Sequence, residues 1–130
     1  MATAAQALRG YRTTQAQTAS PIELVVMLYD GAIRFLAEAE RAAASGDRRG
    51  SATAISRALA IVHELQATLD LARGGPIAEE LDRLYEFVQD RLLSFTRDQD
   101  PVALGDAQRV LNSVADAWRT IAATPAGGAQ

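Results

Sequence analysis

The strongest constraint on this 130-residue chain is a helical repeat that is interrupted at short, regular breaks. Four segments, residues 20–44, 51–71, 76–96 and 100–122, carry apolar residues three and four positions apart, as on one face of a helix. No segment alternates apolar and polar residues as a half-buried strand does. Because short connections make consecutive helices antiparallel, the pattern predicts an all-α fold, an antiparallel up-down four-helix bundle.

Helix start and stop signals divide the chain further. Ser20 and Pro21 precede the first segment as N-cap and first helical residue, and Glu23 completes a capping box. Asp100 and Pro101 repeat the cap and proline before the fourth segment, whereas residues 74–75, Gly-Gly, predict the end of the second. We therefore expect an N-terminal leader or cap at 1–19, the bundle at 20–122 and a disordered tail at 123–130.

One stripe is the clearest of the four. In the third segment seven residues fall on one helix face and are expected to be core. They are Ile77, Leu81, Leu84, Tyr85, Val88, Leu92 and Phe95.

Composition excludes several function classes. The chain has no cysteine, so thiolate metal sites, disulfides and thiol catalysis are excluded. Its thirteen basic residues are all arginine and are scattered at a net charge of −3, which does not favour binding to nucleic acid. No apolar run is long enough to span a membrane, and residues 1–10 lack a signal-peptide core, so we expect a cytosolic protein without membrane insertion.

His63 is the only histidine, and it suggests two enzymatic hypotheses. His63-Glu64 begins like a zinc-binding H-E-x-x-H motif, but Ala67 stands at the second histidine position. A histidine-phosphotransfer bundle is the other alternative, although it needs lysine and glycine where Gln66 and Ala67 stand. We expect no catalytic residue, metal or cofactor, and we keep a purely structural helical dimer as a third alternative.

Several apolar residues do not fit the core stripes and indicate a binding function instead. Phe87 lies off the main stripe of its helix, Leu71 points away from the core side, and Ile61 lies at the edge of its stripe. The first helix also has a wide apolar arc. Together these features favour grooves between helices that accept an amphipathic segment.

The first helix contains Tyr29-Asp30-Gly31 in its interior, where glycine costs roughly 1 kcal/mol relative to alanine. Asp30 lies on the narrow polar strip, and Arg34 is its expected i+4 partner. Gly31 lies on the apolar side, where a missing side chain allows another helix, the leader or a bound segment to approach closely. We therefore interpret Gly31 as a close-contact position.

Short motifs across the predicted helices also occur together in one protein family. They are Thr18-Ala19-Ser20-Pro21, Glu23-Leu24, Met27-Leu28-Tyr29-Asp30-Gly31-Ala32-Ile33, Glu64-Leu65, Leu69-Asp70, Gly74-Gly75, Ile77-Ala78, Leu81, Leu84-Tyr85 and Trp118. With these motifs, and with Leu8 and Tyr11 in the leader, the chain resembles the FliS family, the flagellin-specific export chaperones of bacterial flagella, over roughly residues 8–122. It departs from the family's usual residues at 94–96 and at Phe87.

The resemblance implies a helical bundle that binds the disordered C-terminal segment of newly made flagellin in the cytosol. Binding would prevent premature polymerisation and deliver flagellin to the flagellar type III export gate. It also implies a leader that caps the apolar surface, with its tyrosine in contact with the gate, and a homodimer remains possible. From motif membership and amphipathic placement, we predict nine cargo-binding or cap residues: Leu8, Tyr11, Tyr29, Gly31, Ile61, Leu65, Leu69, Tyr85 and Phe87.

Overall fold

The described part of the chain is a ring of four antiparallel helices. The computed structural model describes residues 20–124, which form α1 (Pro21–Ala44), α2 (Arg48–Ala67), α3 (Leu71–Asp98) and α4 (Pro101–Ala123). Helix α1 packs against α2 and α4, and α3 packs against the same two helices. Connections of two or three residues make consecutive helices antiparallel. The predicted up-down bundle is confirmed, and the predicted leader (1–19) and nearly all of the predicted tail lie outside the described residues.

The predicted starts of α1 and α4 are confirmed by their caps. Ser20 Oγ accepts a hydrogen bond from the Glu23 amide at 3.2 Å, and Glu23 Oε1 accepts one from the Ser20 amide at 3.3 Å. This reciprocal pair is the capping box expected from the sequence. At α4, Asp100 Oδ1 accepts from the Val102 amide at 3.0 Å, and Pro101 is the first helical residue.

The predicted boundary between the second and third helices was wrong. Helix α2 begins at Arg48 behind the cap Asp47 and ends at Ala67, so it starts and stops earlier than expected. It stops because Asp70 caps a new helix, its Oδ1 accepting from the Arg73 amide at 3.1 Å. Gly75 then breaks the first turn of α3 from the rest, with φ 54° and ψ −135°. The glycine pair thus marks a break within α3, because only glycine adopts these angles readily.

The two ends of the bundle are packed differently. At one end, which we call the closed end, buried Ala39, Ala54, Phe95 and Ala103 fill the space between the helices. At the opposite end, which we call the open end, α1 and α3 begin and α2 and α4 end. Ile77 lies there and is 74% exposed, so the expectation that it belongs to the core is wrong. The rest of its stripe is buried or half-buried.

None of the helices within residues 20–124 combines the length and apolarity that crossing a lipid bilayer requires.

Candidate functional site

A pocket of about 300 Å³ opens at the open end of the bundle. Each of the four helices contributes to its wall, because the pocket lies where their terminal turns diverge. Its lining is mostly apolar and consists of Val25, Leu65, Thr68, Leu69, Asp70, Gly74, Ile77, Ala78, Leu81, Tyr85 and Trp118.

The size and lining of the pocket suit aliphatic side chains of a peptide. An apolar cavity of about 150 Å³ holds a benzene molecule, so this pocket has room for roughly two leucine-sized groups. Val25, Leu69, Leu81 and Trp118 are only half-buried, so their apolar surface is available to a bound chain. Asp70 is the one charged residue in the lining.

A pair of tyrosines joins the lining to the core, because Tyr85 lines the pocket and contacts the buried Tyr29 behind it. Tyr29 Oη and Tyr85 Oη are 2.5 Å apart, and both side chains are buried. Burial raises the pKa of both phenols above the usual value of 10.0, so both stay protonated at neutral pH. The pair therefore brings two hydroxyl hydrogens into an apolar site.

A chain of side-chain hydrogen bonds fixes the α2 wall of the pocket against α3. Gln66 Nε2 donates to Asp82 Oδ1 at 2.9 Å and to Glu86 Oε1 at 2.8 Å, because carboxylates only accept. Gln66 Oε1 then accepts from Gln89 Nε2 at 2.8 Å. Gln89 Oε1 is left to accept from His63 Nε2, also at 2.8 Å. This order of donors places a proton on Nε2 of the exposed His63.

Gly31 is a close-contact position within the core. A Cβ atom on Gly31 would lie 3.3 Å from Ile61 Cδ1, so the absence of a side chain lets α1 and α2 approach. Ile61, expected at the edge of its stripe and among the groove residues, is only 1% exposed and lies in the core. Its stripe is wider than expected because α1, with glycine facing it, packs closely over this side of α2.

The expected pairing of Asp30 with Arg34 was also wrong. Asp30 Oδ1 accepts a hydrogen bond from Arg119 Nη2 at 2.5 Å, which joins α1 to the end of α4. Arg119 also pairs with Asp116 on its own helix. A partner 89 positions away cannot be identified from i+4 spacing, whereas the bundle places the two side chains side by side.

The nine predicted site residues fall into four groups. Leu65, Leu69 and Tyr85 line the pocket, and Tyr29 contacts Tyr85 beneath it. Gly31 and Ile61 lie in the core, and Phe87 is 43% exposed on α3 outside the pocket lining. Leu8 and Tyr11 lie outside the described residues.

Sequence analysis did not select Val25, Ile77, Leu81 and Trp118 as site residues, although they line the pocket. Each is an apolar residue close to a predicted helix end, and that position could have identified it as a lining residue. Helical periodicity identifies the inward face, but it does not show where the inward face is left uncovered.

The described residues hold no group of three or more metal-binding side chains in an arrangement for an ion. Comparison with known proteins identifies the family of the chain. The family model described as "Flagellar protein FliS" matches residues 3–125. This chain belongs to the FliS family.

Named FliS relatives come from several bacteria. The flagellar secretion chaperone FliS of Salmonella typhimurium is 36% identical over 105 residues, 80% of this chain and 78% of that protein. The FliS of Campylobacter jejuni is 31% identical over 115 residues, 88% and 90% of the two chains. The FliS of Bacillus subtilis is 27% identical over 109 residues, 84% and 80%. Membership in this chaperone family makes the chain a non-enzymatic protein.

Proposed function

We propose that this chain is a cytosolic export chaperone that binds the disordered C-terminal segment of flagellin. Holding that segment prevents premature polymerisation, and the complex delivers flagellin to the flagellar type III export gate. Family membership supports the chaperone activity, because the curated relatives carry the name flagellar secretion chaperone. The observation that carries the binding mode is the apolar pocket at the open end.

The pocket suits a segment that folds as it binds. An amphipathic chain would insert its aliphatic side chains between Leu65, Leu69 and Leu81 while its polar side stays in water. A disordered segment loses conformational entropy when it becomes ordered, so it binds more weakly than a preformed segment that buries the same area. Such binding is reversible, as a chaperone that releases its cargo for export requires.

The leader serves in this proposal as a cap over the pocket when cargo is absent. It joins α1 at Ser20, within two turns of the pocket residue Val25. Residues 1–19 include Arg9 and Arg12 and no acidic residue, so their charge is opposite to that of Asp70 in the pocket lining. Leu8 supplies an apolar contact, and Tyr11 contacts the export gate once cargo has displaced the leader.

The direct test is co-purification with the flagellin of the same genome, using full-length flagellin and a form without its C-terminal segment. We expect only the full-length form to bind, and equal binding by both forms would refute the proposal. Leu69→Ser in the pocket is expected to weaken binding, whereas Leu93→Ser is its control, since Leu93 is 55% exposed and lies outside the lining. Light scattering on the same samples distinguishes a one-to-one complex from a homodimer.

The phosphotransfer alternative has its own test. His63 Nε2 already takes part in the hydrogen bond to Gln89, so this nitrogen is engaged within the bundle. Incubation with a phosphorylated response regulator is expected to leave the chain unlabelled. Label that is present on the wild type and absent from His63→Ala would favour phosphotransfer.

A further inference from the structure

The Tyr29–Tyr85 pair has one hydroxyl hydrogen more than its single contact uses. Two hydroxyl hydrogens meet there, one on Tyr29 and one on Tyr85. One of them lies between the two tyrosine oxygens, which are 2.5 Å apart. The second hydroxyl hydrogen has no acceptor among residues 20–124.

The position of the pocket indicates which tyrosine carries this spare hydrogen. Tyr29 is completely buried and is absent from the pocket lining, so a spare hydrogen on Tyr29 would face the core. If Tyr29 donates to Tyr85, the hydrogen of the fully buried hydroxyl is paired, and the spare one belongs to Tyr85. Tyr85 lines the pocket and is 3% exposed, so its hydroxyl is a buried donor at the edge of an apolar site.

We propose that the Tyr85 hydroxyl recognises a neutral amide carbonyl of the segment that occupies the pocket. This inference rests on the proposed function and specifies the chemistry of the ligand. A buried donor without an acceptor is costly, so a ligand that supplies a carbonyl oxygen gains affinity that a purely aliphatic ligand does not. The aliphatic groups beside that carbonyl fill the rest of the lining.

The acceptor is a neutral oxygen because the lining is almost entirely apolar. A carboxylate would lose its hydration there at a far higher cost than a neutral group, and the one charged lining residue, Asp70, is already paired with Arg73. An amide carbonyl accepts a hydrogen bond without carrying charge. Within a helix the backbone carbonyls are already bonded, so the carbonyl comes from the last turn of a helix, from extended chain, or from an Asn or Gln side chain.

Two conservative variants test the assignment against each other. Tyr85→Phe removes the spare donor and is expected to raise the dissociation constant of a flagellin C-terminal peptide about tenfold, as the loss of one hydrogen bond does. Tyr29→Phe keeps the Tyr85 hydroxyl and is expected to change that constant less than about threefold. A larger loss of affinity in Tyr29→Phe than in Tyr85→Phe would overturn the assignment.

A small probe separates this inference from the proposed function. Isovaleramide has one aliphatic group and one amide carbonyl, and its binding is followed through the NMR signal of the single tryptophan, Trp118. We expect binding to the wild type and to Tyr29→Phe and weaker binding to Tyr85→Phe. That result in a chain that does not bind the flagellin peptide would refute the proposed function and support the donor role of Tyr85. Equal binding by all three proteins, or by none, would overturn the donor role.

Discussion

The closed and open ends of this bundle are built from the same four helices but leave very different surfaces. At the closed end, small residues such as Ala39, Ala54 and Ala103 let the helices approach, and Phe95 fills the remaining space. At the open end, larger residues such as Leu69, Leu81 and Trp118 stay half-buried around the pocket. The closed end therefore supplies stability, and the open end keeps apolar surface for a ligand.

Polar contacts differ between the ends in the same way. The open end has a buried tyrosine pair and the amide chain from Gln66 to Asp82 and Glu86, which hold the helices in place around a space. The closed end has the buried Ser51, whose Oγ lacks a hydrogen-bond partner among the described residues. Polar groups near the pocket thus include a buried hydroxyl pair, whereas the closed-end half combines apolar packing with the partly exposed ion pairs of Asp106 with Arg91 and Arg109.

The largest expected effect comes from leucine truncation at the two ends. Leu92→Ala, at a fully buried position towards the closed end, should lower the free energy of unfolding by about 2–5 kcal/mol. Leu81 lines the pocket and already borders open space. Leu81→Ala should therefore lower the free energy of unfolding by less than about 2 kcal/mol. Urea denaturation of both variants measures the difference, and equal losses would remove the distinction between the ends.

The second expected effect is a loss of folding stability at alkaline pH, and it comes from the tyrosine pair at the open end. The folded pKa values of Tyr29 and Tyr85 are raised, so above pH 10 the unfolded chain loses protons that the folded chain keeps. Stability is therefore fully present below pH 10 and falls as the pH rises above it, because the tyrosines of the unfolded chain ionise first.

Denaturant titrations between pH 8 and 11 measure this loss, with the Tyr29→Phe/Tyr85→Phe double variant as the control. The double variant should lose markedly less stability over the same interval. An identical pH profile for the two proteins would show that the tyrosine pair is not protected from ionisation.

Ser51→Ala tests the cost of burying a hydroxyl group at the closed end. Removing a buried hydroxyl without a partner should raise the free energy of unfolding by about 1 kcal/mol. Ser56→Ala on the exposed side of the same helix carries the same gain in helix propensity and serves as the control. A Ser51→Ala variant that is less stable than Ser56→Ala would indicate that the Ser51 hydroxyl has a stabilising partner.

The smallest expected effect concerns the ion pair between Asp30 and Arg119. Both side chains are about two-fifths exposed, so Asp30→Asn should cost less than about 1 kcal/mol, and less still at high salt. Thermal denaturation at two salt concentrations tests this. A larger, salt-independent loss would mean that the pair contributes to holding the open end together.

Sequence analysis predicted the fold well because capping boxes and helical periodicity are local signals. Ser20 and Glu23 mark the start of α1, and Asp100 and Pro101 mark the start of α4. The α2–α3 boundary was missed because the apolar pattern continues through Leu69, past the end of α2, while Asp70 starts a new helix. Packing decides whether a helix continues along its apolar pattern or stops where a local cap starts a new helix.

The candidate site was predicted only in part, for a different physical reason. Leu65, Leu69 and Tyr85 were selected and line one pocket, whereas Phe87 lies apart from it and Ile61 is in the core. The Tyr29–Tyr85 contact joins residues 56 positions apart, and no local pattern indicates it. A pocket at the ends of four helices depends on how those ends meet in space.

The central claim is that the open-end pocket receives the C-terminal segment of flagellin, and Trp118 measures it directly. It is the only tryptophan in the chain and it lines the pocket. Titration with a tryptophan-free flagellin C-terminal peptide should move its fluorescence emission to shorter wavelength and saturate at the dissociation constant found by calorimetry. Tight calorimetric binding with no change in Trp118 emission or quenching would contradict the account, because the cargo would then occupy another surface.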